Sequence, residues 1–438
     1  MKKEIIIIGG GAAGMVAAIS AAKNGASVTI LEHKEKLGKK ILATGNGKCN
    51  YTNLHQTMEC YRSENISFIE EVFSHFNEKD TIAFFQELGI YPKSKNGYLY
   101  PNSEQASSVV DVLMMELKRL QVDIRYNENV KDIKPIDNGY QIDTLVTVTE
   151  TKKGNENNNK KASNSKNISK NKREKLTTVD TYKNSYQAKK VIVATGGMAS
   201  SKLGSDGSGY YLLKQLGHTI VPVVPALVQL KAEGDFFEMV AGVRCDARLQ
   251  IFVDGMAVAS EEGELQLTNY GISGIPVFQI SRYAAKALLD KKQVQVVIDF
   301  LPQVELSELE ELLKQRINAS LHKTTEEALI GLLNQKLIQM LLSQLDKRYK
   351  QPLDISKLAK MMKQFSVTIT DTNSFENAQV CAGGIDTAEI TATTLESKLH
   401  QGLYVVGELL DVDGICGGYN LQWAWSTGYI AGKSATLK

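Results

Sequence analysis

The chain has 438 residues, 43% hydrophobic and 23% charged, which excludes a disordered polypeptide or a single small binding module; at about 150 residues per domain it predicts two or three domains. The net charge is +2, but residues 152–175 hold eight Lys and Arg173 against Glu156 and Glu174, so that stretch supplies +7 and the remainder carries −5. The body of the chain therefore gives no argument for a nucleic-acid groove or an anionic membrane surface.

In chain order, residues 5–8 are four consecutive isoleucines, the pattern of a parallel strand covered on both faces. Gly9, Gly10 and Gly11 end it, residues 12–24 are good helix formers, and Gly25 stops the helix. Residues 27–31 read as a second strand closed by Glu32, which completes a βαβ unit. Helical periodicity runs through 66–88 and again through 107–120. From 124 to 149 the pattern turns to alternation, with a turn at Asp137-Asn138-Gly139. The Asn/Lys/Ser-rich stretch 152–175 cannot bury a core face and is expected to be a disordered loop inserted in a β-meander, with a basic interaction arm as the alternative.

Residues 190–194 form another buried strand, ended by Thr195-Gly196-Gly197. Beyond about residue 204 strand alternation takes over: Leu249, Ile251 and Val253 share a face, Asp254-Gly255 is a hairpin turn, and Leu265 and Leu267 resume the pattern. Residues 275–289, segments within 305–365 including 326–345, and 419–435 read as helices, and 403–406 as a further buried strand. The buried-strand style of the N-terminus thus returns at 190 and at 403. An α/β protein is expected, with one discontinuous Rossmann-like domain (1–203 and 371–438) interrupted by a β-rich and helical unit at 204–370.

Gly9-x-Gly11-x-x-Gly14 lies between strand and helix. The first glycine permits the tight turn, the second lets backbone approach a pyrophosphate, and the third allows close helix–strand packing. The turn, with Ala12 and Ala13, is therefore assigned to a dinucleotide held at the positive end of the helix. Glu32 is expected to accept hydrogen bonds from the adenosine ribose, a role that disfavours a 2′-phosphate. At the far end, Gly407 and Glu408 close a strand, Asp413 follows, and Gly418, Asn420 and Leu421 open the last helix. A helix N-terminus beside a flavin stabilises charge on the ring, and an acid at a strand end can hold a ribityl hydroxyl. A ligand held near residue 10 at one end and near residue 410 at the other fits FAD.

The segments 38–53 (from Gly38 through Asn46-Gly47-Lys48-Cys49-Asn50 to Asn53), Ala194-Thr195-Gly196-Gly197, and Gly407 to Gln422 resemble the BaiN-like bacterial NAD(P)/FAD-dependent oxidoreductases. The resemblance spans residues 5 to about 432. It implies a three-layer ββα FAD domain interrupted by a β-barrel-like and helical domain, with Lys40, Asn46 and Gly47 lining the FAD, Val130 touching the adenine through its backbone, and Thr195 and Gly196 also at the cofactor. Two features depart from the family pattern: the length of 152–175, and Lys48 where Arg is frequent, an exchange that removes bidentate binding.

No second strand–G-x-G-x-x-G–helix unit appears, so either a nicotinamide visits the flavin transiently in an open cleft or electrons arrive otherwise; the family resemblance implies NAD(P)H as that transient donor. Cys49 and Cys416 are read as small buried hydrophobes in preference to reactive thiolates, and His218 as a capping or core residue in preference to a proton donor. The five cysteines lack C-x-x-C spacing and the six histidines lack ligand spacing, so neither disulfides nor a metal is expected. No apolar run has the length of a signal region or a membrane span, and a cytoplasmic protein is expected. The leading functional expectation is an FAD-dependent oxidoreductase whose flavin exchanges hydride with an organic substrate, and the family resemblance implies NAD(P)H-linked reduction of a conjugated or carbonyl compound. An oxygen-using amine-type oxidase and a non-catalytic flavin sensor or RNA-associated protein are the alternatives. Nucleic acid and membrane are not expected as partners, and the oligomeric state is left open.

Overall fold

The computed structural model describes residues 2–151, 176–319, 322–349 and 353–437. The expected disordered insertion at 152–175 lies outside the described residues.

The isoleucine run is the centre of the main sheet. Strand Lys2–Ile8 pairs in parallel with Val28–Leu31 on one side and with the end of Leu176–Val193 on the other, and Ile5, Ile6 and Ile7 are fully buried. Asp123–Arg125 adds in parallel beyond Val28–Leu31, and Leu403–Val405 adds in parallel beside Val191 to Val193. The remaining strands are antiparallel: Glu128–Ile136, Gly139–Thr151 and Leu176–Val193 form a meander, with Ile136 opposite Gly139 across the expected turn. The C-terminal return strand therefore lies one strand away from the N-terminal one, with Leu176–Val193 between them.

The first helix, Ala12–Lys23, ends at Asn24 with Gly25 beyond it at φ 88°. It packs against the last helix, Tyr419–Ser434. A Cβ on Gly428 would run into the Ala13 carbonyl, and one on Gly432 into the Ala17 carbonyl. Residue 13 thus sits by 428 and 17 by 432, so the two helices run in the same direction with their backbones touching. Because the last helix begins nine residues before Gly428 and the first only one residue before Ala13, the N-terminus of the last helix projects about 12 Å beyond that of the first, at 1.5 Å per residue.

Three expected elements differ. The periodic stretch 66–88 is two helices, Ile66–His75 and Glu78–Glu87, because Asn77 and Asp80 form a capping box that starts a new helix. The stretch 326–345 is likewise split into Thr325–Leu329 and Gln335–Tyr349, with Gly331 at φ 87° in the turn between them. Residues 208–215, expected within the strand-alternating inserted unit, form helix Ser208–Gln215, whose Tyr210, Leu212 and Leu213 belong to the main core.

The chain leaves this core along Ile220–Ala226 and returns along Val380–Ile385, which pair antiparallel with each other. Between them lies a closed six-stranded barrel: Leu230–Ala232, Gly271–Gly274, Met256–Thr268, Arg244–Val253, Val294–Asp299 and Phe365–Thr372. Asp254 (φ 48°) and Gly255 (φ 80°) take the left-handed pair of angles that a two-residue hairpin turn requires. Helix Ile275–Leu289 packs on the barrel strands through Val277, Ile280 and Ala284.

Gly428→Ala and Gly432→Ala are expected to destabilise the protein by about 1–3 kcal/mol each, the usual range for overpacking. Thermal and urea melts measure this, and wild-type midpoints in both variants would show that the two helices are not in backbone contact.

Candidate functional site

A cleft of about 830 Å³ opens where both ends of the chain meet. Residues at the carboxyl ends of four parallel strands line it: Ile8 and Gly9, Leu31, Ala194 to Gly196, and Val406 to Glu408. That is the edge at which open parallel sheets bind ligands. Leu227, Ile275 and Phe278 add a wall from beyond the main sheet.

The three fingerprint glycines divide the work. Gly9 has φ 100°, and a Cβ there would lie 2.5 Å from the Ala194 carbonyl oxygen. A Cβ on Gly14 would strike the Gly9 carbonyl, so Gly14 is a packing glycine and does not line the cleft. Gly11 faces open space, with nothing within 4 Å of a built Cβ. Gly11, Ala12 and Ala13 line the cleft, and no side chain caps the helix they open, so its first amides are free for an anion.

Glu32 is buried behind the turn and does not line the cleft. Its Oε2 accepts from the Gly10 amide at 2.8 Å and its Oε1 from the Lys34 amide at 2.8 Å. The next residue, His33, does line the cleft, and its buried Nε2 has no hydrogen-bond partner. Val130, Thr195 and Gly196 line this half as well.

At the other half, Lys40 Nζ donates to Glu408 Oε2 at 2.6 Å, joining residues 368 positions apart. Glu408 Oε1 accepts from the Cys381 amide at 3.0 Å, so this carboxylate faces the cleft with both oxygens already engaged. Gly418 (φ 94°) starts the last helix without a side-chain cap, which gives the cleft a second open helix N-terminus; Leu421 lies beside it. Asn420 lines the cleft too, but its carboxamide holds the Gly414 amide and carbonyl at 2.8 Å each. Asn46 lines the cleft at φ 54°, whereas Gly47 stands outside it on the exposed turn.

Asp413 does not reach the cleft. Its carboxylate is buried against Arg282 Nη2 at 3.0 Å, and burial outweighs the attraction of that cation, raising its pKa to about 6. Asp413 is therefore part of the contact between the main core and helix Ile275–Leu289. His218 is likewise remote from the cleft: its Nδ1 lies 2.8 Å from Glu389 and its Nε2 2.9 Å from Ser397, and burial lowers its pKa. This is the core role expected of it.

Cleft residues that the sequence did not assign include Asn50, Tyr98 and Tyr100. The two tyrosines lie on strand Tyr98–Pro101, which pairs with Pro92–Lys95 across an Asn96-Gly97 turn. That dipeptide between two short runs was a legible hairpin signal.

The residues fit a dinucleotide with a ring at one end. Two uncapped helix N-termini face one cleft, Gly11 leaves phosphate-sized space, and the buried Asn50 Oδ1 lacks a partner. Fold and cleft together define a Rossmann-type, dinucleotide-binding class of protein. The chain belongs to the HI0933-like protein Rossmann domain family, which it matches over residues 3–153 and 142–434. It is 45% identical to the 3-dehydro-bile acid delta(4,6)-reductase of Clostridium scindens, over 99% of this chain and 98% of that protein. This bears out the BaiN-like resemblance. It is 31% identical to the ribosomal RNA dihydrouridine synthase of Haemophilus influenzae, over 98% of each chain. Among solved structures, a 3-ketosteroid-delta4-(5alpha)-dehydrogenase from Rhodococcus jostii RHA1 is similar at a TM-score of 0.45 and 15% identity, over 100% of this chain and 97% of that one. Among the described residues no helix is long and apolar enough to cross a membrane.

Gly11→Val is expected to fold with a wild-type melting curve and to lose bound dinucleotide, because its side chain fills open cleft. Gly14→Val is expected to fail to fold. Flavin content and circular dichroism read both, and a fully loaded Gly11→Val protein would place the ligand elsewhere. Burial raises the thiol pKa of both Cys49 and Cys416 to about 12. Both are therefore protonated at pH 8, and native protein should resist iodoacetamide at these positions over an hour that suffices for free thiols. Rapid labelling located by peptide mapping would contradict this.

Proposed function

We propose that this protein is an FAD-dependent reductase of carbon–carbon double bonds conjugated to a carbonyl, with NAD(P)H as a donor that visits the cleft transiently. The observation that carries the reading is the single continuous cleft, clasped by both chain ends and walled by Tyr98, Tyr100, Ile275 and Phe278. Its relatives' names support the bond type: a delta(4,6)-reductase of a 3-dehydro-bile acid and a synthase of dihydrouridine each act at an unsaturated ring.

In this reading the amides of Gly11, Ala12 and Ala13 hold the pyrophosphate at the start of the first helix. Glu32 acts from behind the cleft, holding the glycine turn in shape through the Gly10 and Lys34 amides. Val130 meets the adenine through its backbone, and Thr195 and Gly196 close over the middle of the ligand. Lys40, held by Glu408, and Asn46 border the ribityl portion, while Gly407, Gly418 and Leu421 approach the ring. When bound, FAD supplies hydride exchange at its N5. Burial raises the pKa of Tyr100, so its phenol keeps a proton at the cleft wall across the neutral range. That proton suits the carbon adjacent to the substrate carbonyl. Absence of a second glycine fingerprint leaves the open cleft as the meeting place for a nicotinamide.

A uracil ring presented by RNA is the second reading. It is favoured by the +7 of residues 152–175 and by exposed Lys95 on the cleft wall.

Holoenzyme reduced anaerobically with NADH or NADPH should regain its oxidised absorbance when a 3-oxo-Δ4 steroid is added, and only slowly with a non-conjugated ketone. Faster recovery with a ribosomal RNA transcript, lost on deleting 152–175, would favour the RNA substrate. Reoxidation by oxygen alone, with neither substrate effective, would sink the reductase assignment in favour of an oxidase.

A further inference from the structure

Asn50 closes the motif Asn46-Gly47-Lys48-Cys49-Asn50, and no role described above uses it. Its side chain is 8% exposed and lines the cleft, yet Oδ1 has no hydrogen-bond partner. Among the described residues it is the one buried, unpaired side-chain oxygen on the cleft wall. It lies against the start of the last helix: a Cβ built on Gly418 would stand 3.0 Å from this oxygen.

The surrounding backbone holds Asn50 firmly in that position. Cys49, immediately before it, takes φ 58°, an uncommon value for a side-chain-bearing residue, and is fully buried. The Cys49 amide donates to the Thr44 carbonyl at 3.1 Å and the Tyr51 amide to the Leu99 carbonyl at 2.9 Å. Trp425 Nε1, on the last helix, donates to the Tyr51 carbonyl at 2.9 Å. A strained turn is thus pinned on both sides of Asn50, and the constrained side chain is left with an unsatisfied acceptor. A buried acceptor without a donor is costly, so the arrangement calls for a ligand N–H.

The chemistry of the neighbourhood narrows that ligand. The uncapped N-terminus of the last helix offers N–H donors, which suit carbonyl oxygens, while Asn50 Oδ1 beside it suits a donor. A ligand edge that alternates carbonyl, N–H and carbonyl satisfies both, and the imide edge of an isoalloxazine has that alternation. We infer that Asn50 is a positioning residue for the flavin ring, with Oδ1 accepting a hydrogen bond from the imide N3–H. The inference rests on the FAD reading and adds to it the group that sets how the ring is turned in the cleft.

The test titrates the full-length protein, freed of flavin, with FAD and with FAD methylated at N3. Wild type should prefer FAD by roughly 5- to 100-fold, the range for leaving one buried polar partner unpaired. Asn50→Leu should bind the two alike, with its FAD affinity lowered by a similar factor. Asn50→Asp keeps an acceptor and should keep the preference, which separates a direct contact from a merely structural role. Undiminished preference in Asn50→Leu, or its loss in Asn50→Asp, overturns the inference while leaving FAD binding intact. Wild type that takes up neither flavin overturns the FAD reading itself, and this one falls with it.

Discussion

The parallel contact between the first and last helices is the constraint on which the rest of this structure depends. Gly428 and Gly432 remove the side chains that would hold the two backbones apart, and Ala13 and Ala17 present carbonyls to the space left. Because the helices run the same way and are offset by about 12 Å, their positive ends open into one cleft at different depths. Lys40 and Glu408 then fasten the N-terminal loop to the C-terminal segment across that cleft. This ion pair has side chains 26% and 17% exposed, and it serves geometry more than stability.

The cleft combines that helical pair with a wall borne on the barrel-linked segment. The paired strands Ile220–Ala226 and Val380–Ile385 carry the chain between the main core and the barrel, and helix Ile275–Leu289 brings Ile275 and Phe278 to the wall. The same helix sends Arg282 to Asp413, so the barrel is anchored through a buried ion pair whose acid burial has shifted to a pKa of about 6. Breaking one partner of such a pair leaves a charge without compensation, which makes the contact specific even where its net contribution is small. The barrel-borne wall and the chain-end side of the cleft are thereby held in one frame.

Much of the site was legible locally. The fingerprint glycines, the open helix starts and the return strand at 403 are short-range patterns, and each lies where its pattern indicated. Glu32 was placed correctly at the strand end, but sequence could not show that two backbone amides already use its carboxylate. Asp413 lay among true cleft residues in sequence, yet the strand pairing of Asp413–Gly414 with Tyr61–Arg62 turns it toward Arg282. The helix breaks at Asn77 and Gly331 are hidden in the sequence because apolar spacing continues across them, and only the Asn77–Asp80 capping box and one positive-φ glycine mark them.

The amino-acid sequence by itself determined the βαβ nucleotide unit, the hairpin turns and the discontinuous α/β plan, because these follow from side-chain periodicity and from residues able to take positive φ. Only the tertiary structure decided which polar groups face the cleft and which are consumed behind it. Lys40 and Glu408, Asp413 and Arg282, and the lone oxygen of Asn50 are outcomes of long-range packing. Whether a buried polar atom is satisfied depends on partners hundreds of residues away, and no local pattern encodes that.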